Sequence, residues 1–266
     1  MTFASSKQLR FLELRSRYPE FVYEAYTLRE ESDRYVIHWD FRMGPDLRFQ
    51  PRLEIPFGKS INTRPSPDVL KPLVFQLGMI ELISYWKAAC PPRIRVEPHT
   101  LGPEAIRFWK DLYYLGLGEF RYLNGITTSF EEFLDIESKG SLIAIDDFSI
   151  DTGKYLVPIG GGKDSALSLD LLQEAGRDVV PFMVNPLPAA VRTLSAAGLD
   201  PSQSVVFKRM LDPLLLKLNG HGFLNGHTPF SALLAFSTLL ASSLVGTGRI
   251  ALSNESSANE ATVPGT

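Results

Sequence analysis

Cysteine is almost absent from the sequence, which has one residue of this type, Cys90, among its 266 residues. A single cysteine excludes an internal disulfide framework and a cysteine-rich zinc site. Pro91 and Pro92 follow Cys90, and no histidine lies near it in the sequence. We therefore interpret Cys90 as a buried structural thiol and not as a nucleophile.

An excess of positive charge is also absent. The formal net charge is −3, and the sequence pI is about 5.9. Proteins that bind nucleic acid through its phosphates usually carry a basic surface. The composition therefore predicts no general attraction to nucleic acid.

The sequence also lacks a long uninterrupted hydrophobic run. Residues 1–18 carry several charges and have no apolar core of a signal peptide. The charge-free stretch 229–248 is interrupted by serine and threonine, and its apolar core falls short of the ~20 residues that span a bilayer. We expect a buried helix there, no membrane insertion and a cytoplasmic location.

A glycine-rich segment stands out against this ordinary composition. Residues 155–159 are mostly apolar, three glycines follow, and Lys163, Asp164 and Ser165 open an amphipathic stretch that ends near residue 172. This order predicts a strand, a loop and a helix. Glycines let the backbone approach an anion closely, and the start of a helix favours negative charge. The segment therefore predicts a phosphate-binding loop, although an ordinary glycine-rich turn could have the same pattern.

Two common phosphate loops do not fit the segment. Walker A, G-x-x-x-x-G-K-[ST], would need glycine where Val157 stands and serine or threonine where Asp164 stands. The dinucleotide pattern G-x-G-x-x-G fails because Ser165 occupies the last glycine position. The segment instead resembles the G-G-x-D-S loop of the ATP pyrophosphatases, which split ATP between its α and β phosphates. Gly160 replaces the usual first serine of that loop.

The pattern of the chain predicts an α/β fold in two parts. Residues 1–150 are predicted to form a smaller α+β domain with substrate contacts, containing a hairpin from strands 35–41 and 47–55 and a helix at 69–89. A composition shift near residues 146–147 precedes a regular alternation of strands and helices. Residues 151–266 are therefore predicted to form a doubly wound parallel sheet that binds its ligand at the carboxyl ends of the strands. We also expect the chain to stop inside this second domain, because such a sheet would continue.

The predicted elements of the second domain follow each other closely. They are strand 155–159, helix 164–175, strand 179–184, helix 189–197, strand 204–207, helix 210–218, helix 230–245 and strand 249–252. Gly176 and Gly198 are placed to end the first two helices, and Thr228 is placed to cap the helix at 230–245, with Pro229 as its first residue.

Four stretches carry a resemblance to one family. They are residues 78–90, 157–165, 223–231 and 251–260. The third contains Asn225, His227 and Thr228, and the fourth contains Asn254, Glu255, Asn259 and Glu260. Together they resemble the UDP-N-acetylmuramoyl-L-alanyl-L-glutamate epimerases of bacterial peptidoglycan synthesis, whose members continue beyond residue 266.

The resemblance implies a reaction and its cofactors. It implies an isomerase that uses ATP and Mg²⁺ to invert the terminal L-glutamate of the UDP-linked muramoyl dipeptide to D-glutamate. The route would pass through an acyl-adenylate and release AMP and pyrophosphate. The expected fold of the second domain is the ATP pyrophosphatase type, which is similar to the adenine nucleotide alpha hydrolases.

The site residues that we expect fall into three groups. Phosphate binding is assigned to the loop and the start of its helix, namely Gly160, Gly161, Gly162, Lys163 and Ser165. Proton transfer or metal binding is assigned to Asp164, His227 and Glu255, with Asp164 as the metal ligand or a loop cap. Substrate binding is assigned to Asn225, Asn254, Asn259 and Glu260.

Several alternatives stay open at this point. His227 could be a structural histidine, and Glu81, Trp86 and Lys87 could either reach the substrate or belong to packing and the surface. An amide-forming or RNA-modifying ATP pyrophosphatase is a second enzyme hypothesis, although thiolation would call for more cysteines. A non-catalytic nucleotide-binding module is a third. The sequence leaves the oligomeric state undetermined.

Overall fold

Nine strands form one mixed sheet in the computed structural model, which describes residues 6–61, 63–143 and 151–254. In chain order the strands are β1 Glu20–Glu30, β2 Arg34–Met43, β3 Leu47–Phe49, β4 Arg52–Pro56, β5 Arg93–Val96, β6 Asp135–Ser138, β7 Tyr155–Pro158, β8 Val179–Val184 and β9 Val205–Met210.

Helices cover this sheet. In chain order they are α1 Ser6–Arg17, α2 Pro67–Trp86, α3 Pro103–Gly116, α4 Gly118–Leu123, α5 Phe130–Phe133, α6 Lys163–Glu174, α7 Pro188–Ala196, α8 Pro213–Asn219 and α9 Phe230–Val245, with a 3-10 turn at Pro201–Gln203. Among the helices of the described residues, none is both long enough and apolar enough to cross a bilayer.

The strand order β6-β5-β1-β2-β4-β9-β8-β7, with β3 beside β2, contains two parallel sets. One set is β6, β5 and β1, and the other is β9, β8 and β7. Antiparallel pairing from β1 through β2 and β4 to β9 connects them. The two parallel sets therefore point in opposite directions, so that their carboxyl ends lie at opposite edges of the sheet.

The expected α/β class is confirmed, and its sheet is mixed. The β4–β9 ladder, with Leu53 opposite Arg209, places strands from both parts of the chain in one sheet. On the far side of β7, Ile250 forms a parallel bridge to Leu156. This bridge is all that the structure shows of the predicted strand 249–252. The ATP pyrophosphatase type of the fold stays a prediction.

The order of the second parallel set creates a switch point. Chain order runs from β7 through β8 to β9 on one side, whereas the Ile250 segment lies on the other side of β7. In open α/β sheets a crevice forms outside the carboxyl ends of the strands where the order reverses in this way. Here that position follows Pro158, directly before the three glycines.

Helix α2 lies at the centre of the packing. Fourteen of its twenty residues are buried, because it packs between β1, β2 and α9. Its sequence is apolar nearly all round, which is the pattern of a helix without a solvent face. At Gly78 the helix comes so close to the sheet that an added Cβ would lie 2.6 Å from Trp39 Cδ1 and would also overlap the Tyr23 hydroxyl.

Strand β1 occupies Glu20–Glu30 and helix α4 occupies Gly118–Leu123, and the sequence pattern predicted neither element. Helix α9 has the predicted bounds, but its N-cap is Pro229 and not Thr228. The composition shift at residues 146–147 lies outside the described residues.

We predict that Gly78→Ala lowers the free energy of unfolding by about 1–3 kcal/mol, because the added methyl group overpacks the contact between α2 and the sheet. Chemical denaturation measures the change. Gly118→Ala is the matched control, since a Cβ at this helical position meets nothing within 4 Å. Equal stability of the two variants would contradict the close packing at Gly78.

Candidate functional site

The glycine loop joins β7 to α6 at the switch point. Gly161 has φ +85°, and an added Cβ there would lie 2.6 Å from the backbone nitrogen of Ala190 in α7. Only glycine therefore fits at position 161. An added Cβ at Gly160 or Gly162 would meet nothing within 4 Å, so these two positions border open space that a ligand can occupy.

The residues after the glycines differ in exposure. Gly162 is the N-cap of α6, and the buried Ser165 hydroxyl donates to its carbonyl oxygen at 3.0 Å. Asp164 is partly buried and Lys163 is exposed. The first backbone N–H groups of a helix have no acceptor within the helix, and the dipole makes this end positive. The loop is therefore chemically suited to an anion, with the Ser165 hydroxyl holding its shape.

His227 lies on the segment that leads into α9. Its ring is 85% exposed, and Nδ1 donates to the Glu119 carboxylate, with 3.0 Å to Oε2 and 3.1 Å to Oε1. An ionised carboxylate only accepts hydrogen bonds. Nδ1 therefore carries the proton, and Nε2 is the nitrogen that can accept one. A carboxylate that orients an imidazole in this way is a common arrangement for proton transfer.

Asn225 shapes the same segment. Its Oδ1 accepts from the backbone N–H of Gly226 at 2.8 Å, and its backbone carbonyl accepts from Asn124 Nδ2 at 3.1 Å. The side chain is exposed. Its contacts among the described residues are therefore those of a turn, while its expected substrate role stays a prediction.

Lys87 contacts the segment that leads into α9. Its side chain is 7% exposed, and Nζ donates to the carbonyl oxygen of Gly226, next to His227. Burial lowers the pKa of Lys87 to about 8; the Cys90 thiol opposes this and the Arg209 charge adds to it. The alternative of a surface lysine is therefore wrong. Trp86 is a packing residue, since it is fully buried and donates to the Pro91 carbonyl oxygen.

An ion pair fixes the carboxyl end of β9. Arg209 Nε donates to Glu81 Oε2 at 2.6 Å, and Nη2 donates to Glu81 Oε1 at 3.0 Å and to Ser84 Oγ at 3.1 Å. Burial opposes the guanidinium charge, but Glu81 outweighs burial and raises the pKa of Arg209. Asn185, just after β8, hydrogen-bonds both backbone groups of Arg209. Its Nδ2 donates to the Arg209 carbonyl oxygen, and its Oδ1 accepts from the Arg209 N–H, each at 2.8 Å.

The remaining expected residues follow the Ile250 bridge. Because Ile250 pairs in parallel with Leu156, the chain after it leaves the sheet at the edge where the glycine loop begins. Asn254 is exposed there. Glu255, Asn259 and Glu260 lie outside the described residues, so their expected roles stay predictions.

One edge of the sheet therefore collects most of the predicted groups. The carboxyl ends of parallel strands and the starts of the following helices meet at the same edge, which brings the glycine loop, Arg209, the segment 225–230 and Asn254 to one side of the molecule. Sequence reasoning missed Glu119, Asn185 and Arg209, which no local motif marks. Among the described residues, no group of three or more His, Cys, Asp or Glu side chains could hold a metal ion.

Comparisons with known proteins agree on one family. The profile described as the MurL N-terminal domain matches residues 13–266. A UDP-N-acetyl-alpha-D-muramoyl-L-alanyl-L-glutamate epimerase from Salinispora tropica is 33% identical over 82% of this chain and 47% of its own length. Proteins of the same name from a Micromonospora species and from Xanthomonas oryzae pv. oryzae are 33% and 32% identical, over 82% and 71% of this chain and 48% and 41% of their own lengths.

The chain thus spans about half the length, or less, of the curated relatives that it matches. No solved structure matches it significantly.

Replacing Gly161 by alanine should disrupt the loop, because the new side chain would need a strained left-handed backbone and would overlap α7. The sequence predicts that this loop binds ATP, and we expect that binding, measured by calorimetry, to weaken about tenfold or more, which corresponds to at least ~1.4 kcal/mol. Gly153→Ala is the control for backbone strain alone, since Gly153 has φ +75° but open space around it. Unchanged ATP binding by the Gly161 variant would place the nucleotide elsewhere.

Because the Lys87 ammonium is buried, we expect the free energy of unfolding to depend on pH. Because the pKa of Lys87 falls from 10.5 to about 8 on folding, the native state carries a penalty below pH 8 that is relieved as the pH rises toward 10.5. The free energy of unfolding should therefore increase by up to about 3 kcal/mol relative to Lys87→Met over this range.

Urea denaturation of the two proteins between pH 7 and pH 10.5 tests this sign. Other titrating groups contribute to both curves, so that their difference isolates Lys87. Parallel curves would show that the ammonium is not buried.

Proposed function

Since the chain belongs to the family of the MurL N-terminal domain, we propose that it takes part in the epimerisation of the terminal glutamate of UDP-N-acetyl-alpha-D-muramoyl-L-alanyl-L-glutamate. The names of the curated relatives support this substrate and this reaction class. The product would be the D-glutamate form that peptidoglycan synthesis uses. We further propose that the reaction depends on ATP and Mg²⁺ and passes through an acyl-adenylate.

The position of the glycine loop is the observation that carries the proposal for ATP. The loop follows β7 at the switch point of the parallel strands, and Gly160 and Gly162 border open space. Phosphates bind readily where glycine backbone and the start of a helix meet. In the proposed complex, the backbone N–H groups at the start of α6 bind the polyphosphate, and Lys163 adds a positive charge.

The described residues also fit a magnesium ion that is held mainly by its nucleotide. Mg²⁺ often binds through one or two carboxylates together with substrate phosphates and water. Asp164, in the first turn of α6, is the carboxylate that would take this place. The ion would supply positive charge against the departing pyrophosphate.

Adenylation has a clear chemical purpose in this reaction. Removing the Cα proton next to a free carboxylate would place a second negative charge beside the first. Conversion of the carboxylate to a neutral acyl-adenylate removes the first charge and lets the new charge spread into the carbonyl group. Proton removal on one face and proton return on the other then invert the centre, and hydrolysis releases AMP.

His227 and Glu119 supply one of the two proton-transfer groups in this proposal. Glu119 holds the Nδ1 side of the imidazole, and the exposed Nε2 side faces solvent, where a substrate can enter. General base catalysis by a positioned histidine contributes a factor of about 10²–10⁴ to a rate. Glu255, which the sequence predicts to be catalytic, is our proposed group for the other face.

We predict that the full-length protein releases AMP and pyrophosphate from ATP in the presence of the muramoyl dipeptide nucleotide. In deuterated water, deuterium should enter at the glutamate Cα, which mass spectrometry or NMR detects. ADP as a product would contradict adenylation at the α phosphate. AMP formation without isotope exchange would instead indicate an amide-forming enzyme, and binding without turnover a passive nucleotide-binding module.

Two further variants separate adenylation from proton transfer. His227→Gln should lower the isotope exchange about 10²-fold or more but leave ATP–pyrophosphate exchange in place, whereas Ser165→Ala should lower both, because the loop loses its link to Gly162. His221→Gln is the matched control, since His221 is also exposed and its Nδ1 contacts only the Lys217 carbonyl among the described residues. If His227→Gln exchanged deuterium at the wild-type rate, His227 would have no part in proton transfer.

A further inference from the structure

A small cavity lies between α2, the end of β9 and the start of α9. Its volume is about 20 Å³, and its walls include Ile80, Ser84, Arg209, Thr228 and Leu233. A space of this size holds about one water molecule or one oxygen atom of a larger ligand. The cavity lies at the same edge of the sheet as the glycine loop, because Arg209 is at the carboxyl end of β9.

The polar groups around this cavity are mainly hydrogen-bond donors. Arg209 donates hydrogen bonds from Nε and Nη2 to Glu81. Its Nη1 has no hydrogen-bond partner among the described residues. The Ser84 oxygen accepts from Arg209 Nη2, which leaves the Ser84 O–H to donate. A guanidinium has no acceptor at all. A ligand atom that only accepts hydrogen bonds therefore fits the cavity better than water does.

The charges of the junction favour the same kind of atom. Arg209 and Glu81 bring one positive and one negative charge to the contact between α2 and β9, and the Lys87 ammonium, close enough to Arg209 for the two charges to repel, adds a second positive charge. The Arg209 side chain is 18% exposed and the Glu81 side chain 2% exposed. Low exposure weakens screening by water, so that the excess positive charge attracts an anion strongly.

We propose that Arg209 and Ser84 bind one oxygen of a substrate oxyanion at this cavity. This inference rests on the proposed function, because the candidate oxyanions are the carboxylate of the terminal glutamate and the phosphates of ATP. The bound oxygen occupies the cavity, and the rest of the anion extends toward the glycine loop. Arg209 is then a substrate-binding residue, and Glu81 competes with the ligand for its guanidinium.

A purely structural ion pair predicts a different set of effects. If Arg209 and Glu81 only fasten α2 to β9, removing either side chain has the same consequence. If Arg209 binds an anion, the two removals act in opposite directions. Arg209→Gln removes the attracting charge, whereas Glu81→Gln removes the charge that competes with the ligand.

The experiment measures the binding of three ligands by calorimetry. These are UDP-N-acetylmuramoyl-L-alanyl-L-glutamate, the same nucleotide without the terminal glutamate, and ATP with magnesium. We expect Arg209→Gln to weaken one of them about tenfold or more, as for the loss of a charge-assisted hydrogen bond, and Glu81→Gln to strengthen the binding of the same ligand. A loss that depends on the terminal glutamate identifies its carboxylate, and a loss for ATP identifies a phosphate.

The double variant Glu81→Gln with Arg209→Gln guards against misfolding. Arg209→Gln alone leaves a buried carboxylate without its partner, whereas the double variant is neutral and keeps amide groups in both places. It should fold and bind as weakly as Arg209→Gln. Equal affinity in wild type and the double variant, or an equal loss in both single variants, would overturn the inference alone. A wild-type protein that binds none of the three ligands would overturn the proposed function as well.

Discussion

The buried pair of Arg209 and Glu81 is the interaction on which the geometry of the molecule depends. It joins the central helix α2 to the end of β9, within the ladder that connects β9 to β4. Such pairs often add little net stability, because desolvation of both charges opposes their attraction, but loss of one partner costs about 3–5 kcal/mol. We therefore interpret the pair as a positioning contact. It holds Glu81 of α2 against the end of β9, and Lys87, just after α2, contacts the segment before α9.

The sequence was most informative where structure is local. In the second half of the chain, β8 and α9 have the predicted bounds, because short apolar runs alternate with amphipathic stretches and glycines end the helices. The first half was harder. Strand β1 carries charged residues among its aromatic ones and gives no clear alternation. The antiparallel pairing of β4 with β9 joins residues more than 150 positions apart and leaves no local signal.

The candidate site divides in the same way. The glycine loop was predictable, because its residues are consecutive and form a recognisable motif. The structure separates the roles of its glycines. Gly161 must be glycine because of its contact with α7, whereas Gly160 and Gly162 border open space. The partners of His227 and Gly226 were not predictable. Glu119 comes from α4 and Lys87 from the end of α2, at separations of 108 and 139 residues, and only the fold brings them together.

The directions of two helices explain why positive charge collects at this edge. Helices α2 and α9 pack antiparallel, since the end of α2 meets the segment before α9, while Thr63, before α2, donates to the Leu244 carbonyl at the end of α9. The starts of α6 and α9 therefore lie at the carboxyl edge of β7, β8 and β9, and both carry the positive end of a helix dipole. Lys87 follows the negative end of α2, where a cation is favourable, yet burial still dominates and lowers the pKa of Lys87. Together with Arg209, these groups make this edge electrostatically suited to the anionic substrates that we propose.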